Sequence, residues 1–412
     1  MISLGERLSR RPNVVSICLA AFFNDMGSDM LFAFYPLFLV QVLHVSEMKI
    51  LGLIDTLALL LGFVVMPLVG KLADVRGRKH LIWTGYMLLL ISRITQGLAR
   101  VWTHLIPPKI LYQIGRGIRD PPREALLADS VPQSQRGQAF GWLGSADTFG
   151  AILGPIIGLG LFSWFINLGI HIDEAYRWIF FCAAAPTTMS ILTILFGTRD
   201  VKTQSYEVDR SKRRWDFSLI RKDRTLLLLT VVCCVFTFWE VSENFMLASG
   251  SKIIGLTKEQ FWISVILYWF INVTFAPTAF FVGKFSDKVG RKIPVTVGMM
   301  VLGLMTIGFA FATHLFTVGV LFMLHGIYQG FFTPSIKAWV ADLAPPDRRA
   351  ETIGTYSMIV GISDVPGPLV FGLLWDAFGL ETPFIISGVF CVICAILLAL
   401  FVQTRGRIST TS

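Results

Sequence analysis

Hydrophobic residues gather into long runs of about 19 to 29 positions separated by short polar stretches. The runs lack the alternation of a half-buried strand and match the roughly 20 apolar residues needed to cross a bilayer as a helix. They predict twelve helices, at 14–42, 50–69, 81–99, 105–130, 139–166, 178–196, 225–249, 261–282, 293–312, 315–341, 352–378 and 384–402. The longest polar interruption, 197–224, holds nine Lys/Arg and five Asp/Glu and divides the helices six and six. The expected organisation is a six-helix bundle at 1–196, a charged linker at 197–224, a second bundle at 225–402 and a tail at 403–412.

The polar loops reveal a duplication. Gly70-Lys71-Leu-Ala-Asp74-Val-Arg-Gly77-Arg78-Lys79 recurs 213 residues later as Gly283-Lys284-Phe-Ser-Asp287-Lys-Val-Gly290-Arg291-Lys292. The same offset pairs Gly117 with Gly330, Pro121 with Pro334, Asp129 with Asp342 and Gly154-Pro155 with Gly367-Pro368, without a gap over 86 residues. An even number of crossings between copies makes the two halves parallel, a transporter architecture with a site between repeats.

Composition agrees. Of the 412 residues, 54% are hydrophobic and 15% charged, where a soluble protein carries about a quarter charged. The net charge of +9 invites a nucleic-acid reading, but 25 of the 36 Lys/Arg fall at the termini and in alternate loops. Five lie in the opposite loops and six inside the runs. That asymmetry is the positive-inside signature, which excludes a basic recognition face and places both termini in the cytoplasm. The six cysteines all sit in apolar runs and read as small hydrophobes. No metal-ligand cluster, nucleophile elbow or nucleotide-binding loop is recognisable, so neither an enzyme, a metal site, a cofactor nor an ATP-driven pump is expected.

The loop after the second run, with Val75 and His80 as departures, and the loop after the eighth match the G-x-L-x-D-R-x-G-R-[KR]-[KR] signature. On these residues the chain resembles the major facilitator superfamily over essentially its whole length. Asn24-Asp25-Met26-Gly27-Ser28-Asp29-Met30 and Gly115-Arg116-Gly117-Ile118-Arg119-Asp120-Pro121-Pro122-Arg123-Glu124-Ala125-Leu126 resemble a group of prokaryotic permeases. The resemblance implies an all-α membrane protein of twelve helices in two parallel pseudo-repeats, in a bacterial inner membrane and monomeric. Gly150-x-x-x-Gly154-Pro155-x-x-Gly158 resembles the family's antiporter motif, with Leu159 in place of a glycine. Plain helix packing accounts for it equally well.

An ionisable side chain at mid-bilayer costs at least about 2.5–3.5 kcal/mol, so each one is a candidate for function. Asp25 and Asp29, at i and i+4, share one helical face, and Glu240 and Glu243 are expected to do the same in the seventh helix. Two carboxylates so placed repel when both are ionised, which makes each pair a candidate proton carrier. Arg116, Arg119 and Arg123 form one stripe on the fourth helix, beside carbonyls that Pro121 and Pro122 cannot satisfy. Unwound backbone beside cations suits an anionic cargo. Against this, five positive groups (Arg93, Lys109, Arg116, Arg119, Arg123) face six negative ones (Asp25, Asp29, Asp55, Asp120, Glu124, Asp147) in the first half, enough to pair almost completely. The repeated residues Asp74, Gly77, Arg78 and Asp129, with Asp287, Gly290, Arg291 and Asp342, are assigned to gating at the cytoplasmic mouth, as the resemblance implies.

The expected function is proton-coupled secondary transport of a small organic molecule by alternating access, with export favoured. Import of an organic anion or metal-chelating polycarboxylate is the alternative, and a non-transporting receptor of the same fold the remote one. The expected partners are cargo, protons and the bilayer.

Overall fold

The computed structural model describes the backbone at 4–76, 78–132, 136–199, 218–257, 260, 262–345 and 349–402. Side chains are described there except at 4–11, 63–76, 136–138, 219, 284, 287 and 349–351. Secondary structure among the described residues is helical. The first half comprises α1 (Leu4–Phe32), α2 (Tyr35–Leu37) running into a π-helical turn (Phe38–Val42), α3 (Met48–Arg76), α4 (Arg78–Gly97), α5 (Ile106–Asp129), α6 (Arg136–Asn167) and α7 (Ile172–Gly197). The second comprises α8 (Ser218–Lys222), α9 (Arg224–Trp239), α10 (Glu243–Ile254), α11 (Trp262–Val289), α12 (Lys292–Ala310), α13 (Leu315–Leu343), α14 (Arg349–Asp364), α15 (Gly367–Phe378) and α16 (Glu381–Phe401).

Nine helical segments among the described residues are long and apolar enough to cross a membrane. Three more helices, α3, α4 and α5, have span length, and all three carry charged side chains treated below. Large apolar side chains such as Phe196, Phe311 and Phe316 are exposed, as expected of surfaces that lipid covers.

Packing divides the chain into one unit of Met1–Tyr206 with Gly255–Trp269, and another of Glu207–Ile254 with Phe270–Ser412. Inside the first, α1 lies against α6 and α7, α4 against α5 and α7, and α3 against α5. Inside the second, α12 lies against α13 and α16, and α9 against α14 and α16. The repeated sequence thus packs by a repeated internal scheme. The first unit's core draws Ile17, Ala20 and Ala21 from α1, Tyr86 from α4 and Ile191 and Ile194 from α7, all buried.

The α1–α6 contact explains the Gly-x-x-x-Gly-Pro pattern. A Cβ on Gly150 would lie 2.9 Å from the Met26 nitrogen, one on Gly154 2.8 Å from the Met30 nitrogen, and one on Gly158 2.8 Å from Met30 Cγ. Three glycines on one stripe let two backbones touch, as small residues do in membrane helix pairs.

Three runs expected as single helices are broken. The 14–42 run parts at 33–34, between α1 and α2. The 225–249 run parts at 240–242: Glu240 leaves α9 with φ −64°, ψ 125°, and Ser242 restarts the helix by accepting the Asn244 N–H on Oγ (3.3 Å). The 352–378 run parts at 365–366, where Pro366 begins α15. There Gly367 lies so close to the end of α9 that a Cβ would sit 2.6 Å from the Phe238 carbonyl oxygen. Conversely, the unwinding expected beside Pro121 and Pro122 is absent, since α5 runs through both prolines. A proline φ is itself helical, so each removes a hydrogen bond without obliging the chain to leave the helix.

Candidate coupling and cargo site

The first unit sorts its intramembrane charges unevenly. Arg119 on α5 donates from Nε to Asp120 Oδ1 (2.7 Å), with Nη2 2.6 Å from the same oxygen. Arg123 Nη2 lies 3.7 Å from that oxygen and Arg116 Nε 3.8 Å from Asp120 Oδ2. Arg123 also reaches Asp147 on α6 at 3.7 Å. Three guanidinium groups therefore share one carboxylate, Arg123 reaching a second at the same distance, and Tyr86 presents its ring 4.9 Å from the Arg119 guanidinium carbon. Arg119 and Arg123 are 3% and 7% exposed, yet Arg119 Nη1 and Arg123 Nε and Nη1 are buried without a hydrogen-bond acceptor among the described residues. The stripe inferred from sequence is intact, and its centre is Asp120, which sequence reasoning had counted only as one of the acids available for pairing.

Lys109 forms a separate pair with Asp55 (3.3 Å), its ammonium 3.7 Å from the Tyr35 ring centroid. Arg93, 1% exposed, takes no carboxylate among the described residues. It donates to the carbonyls of Ala183 and Asn24 (both 3.0 Å), to Ser28 Oγ (2.6 Å) and to Thr187 Oγ1.

Four of the five positive groups are thus in ion pairs, and Arg93 is the exception among the described residues. Asp25 accepts from the Asn24 side-chain amide (2.7 Å) and is in no ion pair among the described residues. Asp29 accepts from the hydroxyl of Tyr268. The Tyr268 ring stacks on Phe32 with centroids 4.9 Å apart, and nothing in the sequence singles it out.

In the second unit, Glu240 and Glu243 bracket the helix break instead of sharing a helical face. Tyr328 donates its hydroxyl to Glu240 (2.7 Å) and Gln329 its amide to Glu243 (2.8 Å). His325, 1% exposed, brings Nε2 to 3.4 Å from Glu243 and 3.2 Å from the Gln329 amide nitrogen. α13 thus supplies three side chains, one helical turn apart or less, to two acids on a broken helix.

Of the residues assigned to gating, Arg78 pairs with Asp129 inside the first unit and Arg291 with Asp342 (3.1 Å) inside the second, partners related by the same offset of 213. Arg291 also donates to Ser286 Oγ (3.0 Å). Gly290 holds φ +90° at the turn from α11 to α12, a conformation that glycine adopts without strain. Gly77 and the side chains of Asp74 and Asp287 lie outside the described residues.

Two duplicated bundles with buried charge at mid-span and a basic turn paired to a helix-end acid in each define a multi-pass membrane transporter fold. The family model of the Major Facilitator Superfamily matches residues 17–323 and 262–411, and the chain belongs to that superfamily. It is 29% identical over 389 residues to an uncharacterized MFS-type transporter, MJ1317, of Methanocaldococcus jannaschii, covering 94% of both chains. It is 23% identical over 400 residues to the multidrug resistance protein MdtG of Rahnella sp. (strain Y9602), covering 93% of this chain and 92% of that one. Among solved structures it resembles a bacterial homolog of the human lysosomal transporter Spinster, with TM-score 0.77, 16% identity and 95% and 96% of the chains covered. It likewise resembles a D-xylose-proton symporter, with TM-score 0.75, 16% identity and 95% and 97% covered. At these identities the structural likeness speaks for the fold alone.

Proposed function

We propose that this transporter is driven by protons and exports a small organic molecule by alternating access. The observation that carries the proposal is that Asp25 and Glu240 are held by an amide and a hydroxyl, with no lysine or arginine paired to either among the described residues. A carboxylate fixed by a guanidinium is locked in its charged form, whereas one held by neutral donors can lose and regain its proton. Asp25 with Asp29 and Glu240 with Glu243 are the proposed proton carriers. Arg116, Arg119 and Arg123 are the proposed cargo-facing residues, and the Arg78–Asp129 and Arg291–Asp342 pairs the cytoplasmic gates, with Asp74, Gly77, Asp287 and Gly290 shaping their loops. The likeness to proteins named for multidrug resistance favours export. Monomeric carriers in the inner membrane, with both termini cytoplasmic, complete the reading.

The test is accumulation of ethidium, a fluorescent organic cation, by proteoliposomes under an imposed pH gradient. The proposal expects uphill movement that stops when a protonophore collapses the gradient. Uphill movement that ignores the protonophore would overturn the coupling.

A second reading, import of an organic anion, is favoured by the buried N–H groups of Arg119 and Arg123 that have no hydrogen-bond acceptor among the described residues. Citrate or benzoate that protects the wild-type protein against heat, but not Arg119→Gln, would move this reading to first place.

A further inference from the structure

The first-span motif divides into two sets of residues, and only the acids have so far been given a task. Asn24, Gly27 and Ser28, at i, i+3 and i+4, lie on one helical face, and that face is the seat of Arg93. Its guanidinium is gripped by the Asn24 carbonyl (3.0 Å), Asn24 Oδ1 (3.4 Å), Ser28 Oγ (2.6 Å), the Ala183 carbonyl (3.0 Å) and Thr187 Oγ1. Gly27 completes the seat: a Cβ there would collide with Arg93 Nη1 and lie 2.8 Å from the Ala183 carbonyl oxygen. Burying a guanidinium among neutral oxygens without a touching carboxylate is expensive, so this placement calls for a reason.

The reason lies in the Asn24 side chain. Its Oδ1 accepts from Arg93 while its Nδ2 donates to Asp25 Oδ1 (2.7 Å). Asn24 is itself 1% exposed, so its amide has no room to turn toward solvent. With Oδ1 held by a cation, the amide presents its N–H to Asp25, and the flipped orientation would set an oxygen against a carboxylate.

We infer that Arg93 and Asn24 are positioning residues for Asp25: Arg93, held by α1 and α7, orients the Asn24 amide, and that amide holds the Asp25 carboxylate. This rests on the reading that Asp25 carries a proton. The other charges facing Asp25 are Arg119 on α5 and Asp147 on α6, with Tyr86 beside Arg93 on α4 and Asp29 one turn along α1.

The test needs no cargo. The infrared carbonyl band of protonated Asp25, identified by its loss in Asp25→Asn, is titrated with pH in purified protein. A hydrogen bond to an ionised group is worth roughly ten- to a hundredfold in a proton-binding constant. Asn24→Leu is therefore expected to move the midpoint by about one unit or more. Arg93→Lys keeps the charge and loses the planar fork, so it is expected to move the midpoint the same way. The double variant is expected to move it no further than Asn24→Leu alone, because one residue acts through the other. An unmoved midpoint in whichever of the two variants folds overturns the inference, as does additivity in the pair. Gradient-driven transport that fails while the titration behaves as described would count against proton coupling and leave the positioning role standing.

Discussion

Replacing Gly154 by alanine inserts one methyl group into the α1–α6 seam, and its effect can be worked out from the geometry. The new Cβ would lie 2.8 Å from the Met30 nitrogen, where an ordinary contact exceeds 3.4 Å. The atoms it meets belong to helix backbone, which cannot rotate away as a side chain can, so the helices must separate by about half an ångström or more. Overpacking of this kind costs about 1–3 kcal/mol. Alanine returns about 1 kcal/mol of helix propensity, leaving a net loss of up to about 2 kcal/mol. Gly160, six residues on in the same helix, is the internal control, since a Cβ there meets nothing within 4 Å. Gly160→Ala should gain the propensity without the clash. Thermal unfolding of purified protein, followed by tryptophan fluorescence, should place Gly154→Ala below wild type and Gly160→Ala level with or above it. Equal stability of the two variants would refute the packing account and return the motif to a purely functional role.

Three further outcomes are expected. Asp120→Asn removes the carboxylate shared by Arg116, Arg119 and Arg123 and should cost about 3–5 kcal/mol, as loss of one partner of a buried pair does, whereas Asp147→Asn, which is more exposed and lacks the close Arg119 contact, should cost clearly less in the same unfolding assay. Double-mutant cycles should find a larger coupling for Arg78–Asp129, whose side chains are 15% and 27% exposed, than for Arg291–Asp342 at 22% and 59%, the latter within the 0–1 kcal/mol or so of a surface pair. Gly290→Ala should destabilise by about 1–2 kcal/mol through backbone strain alone, because φ is +90° there and the space for a methyl is open.

Hydropathy, loop charge and the 213-residue offset made the helical class and the repeated Arg and Asp positions legible, and the loop signature carried the resemblance to the family, because each is local or periodic. The breaks were less so. Pro366 marked one of them, and Ser242 before Glu243 is a helix-start signal that was passed over inside an apolar run. The prolines of α5 drew attention to a break that does not exist. Which intramembrane charge pairs with which was not legible at all. Counting permits Arg93 to meet an acid as readily as Arg119 does, and only the packing of α1, α4 and α7 puts neutral oxygens around it. Tyr268 is farther still from inference, lying 239 residues from the Asp29 that it touches.

Carboxylates held by neutral donors, Asp25 and Glu240, are proposed to carry the driving proton. Ethidium movement in proteoliposomes, measured with and without a pH gradient for wild type, Asp25→Asn and Glu240→Gln, tests that proposal most directly. Gradient-driven accumulation is expected to be lost in at least one variant while gradient-free exchange of ethidium continues in both. Accumulation at wild-type levels in both variants would contradict the proposal.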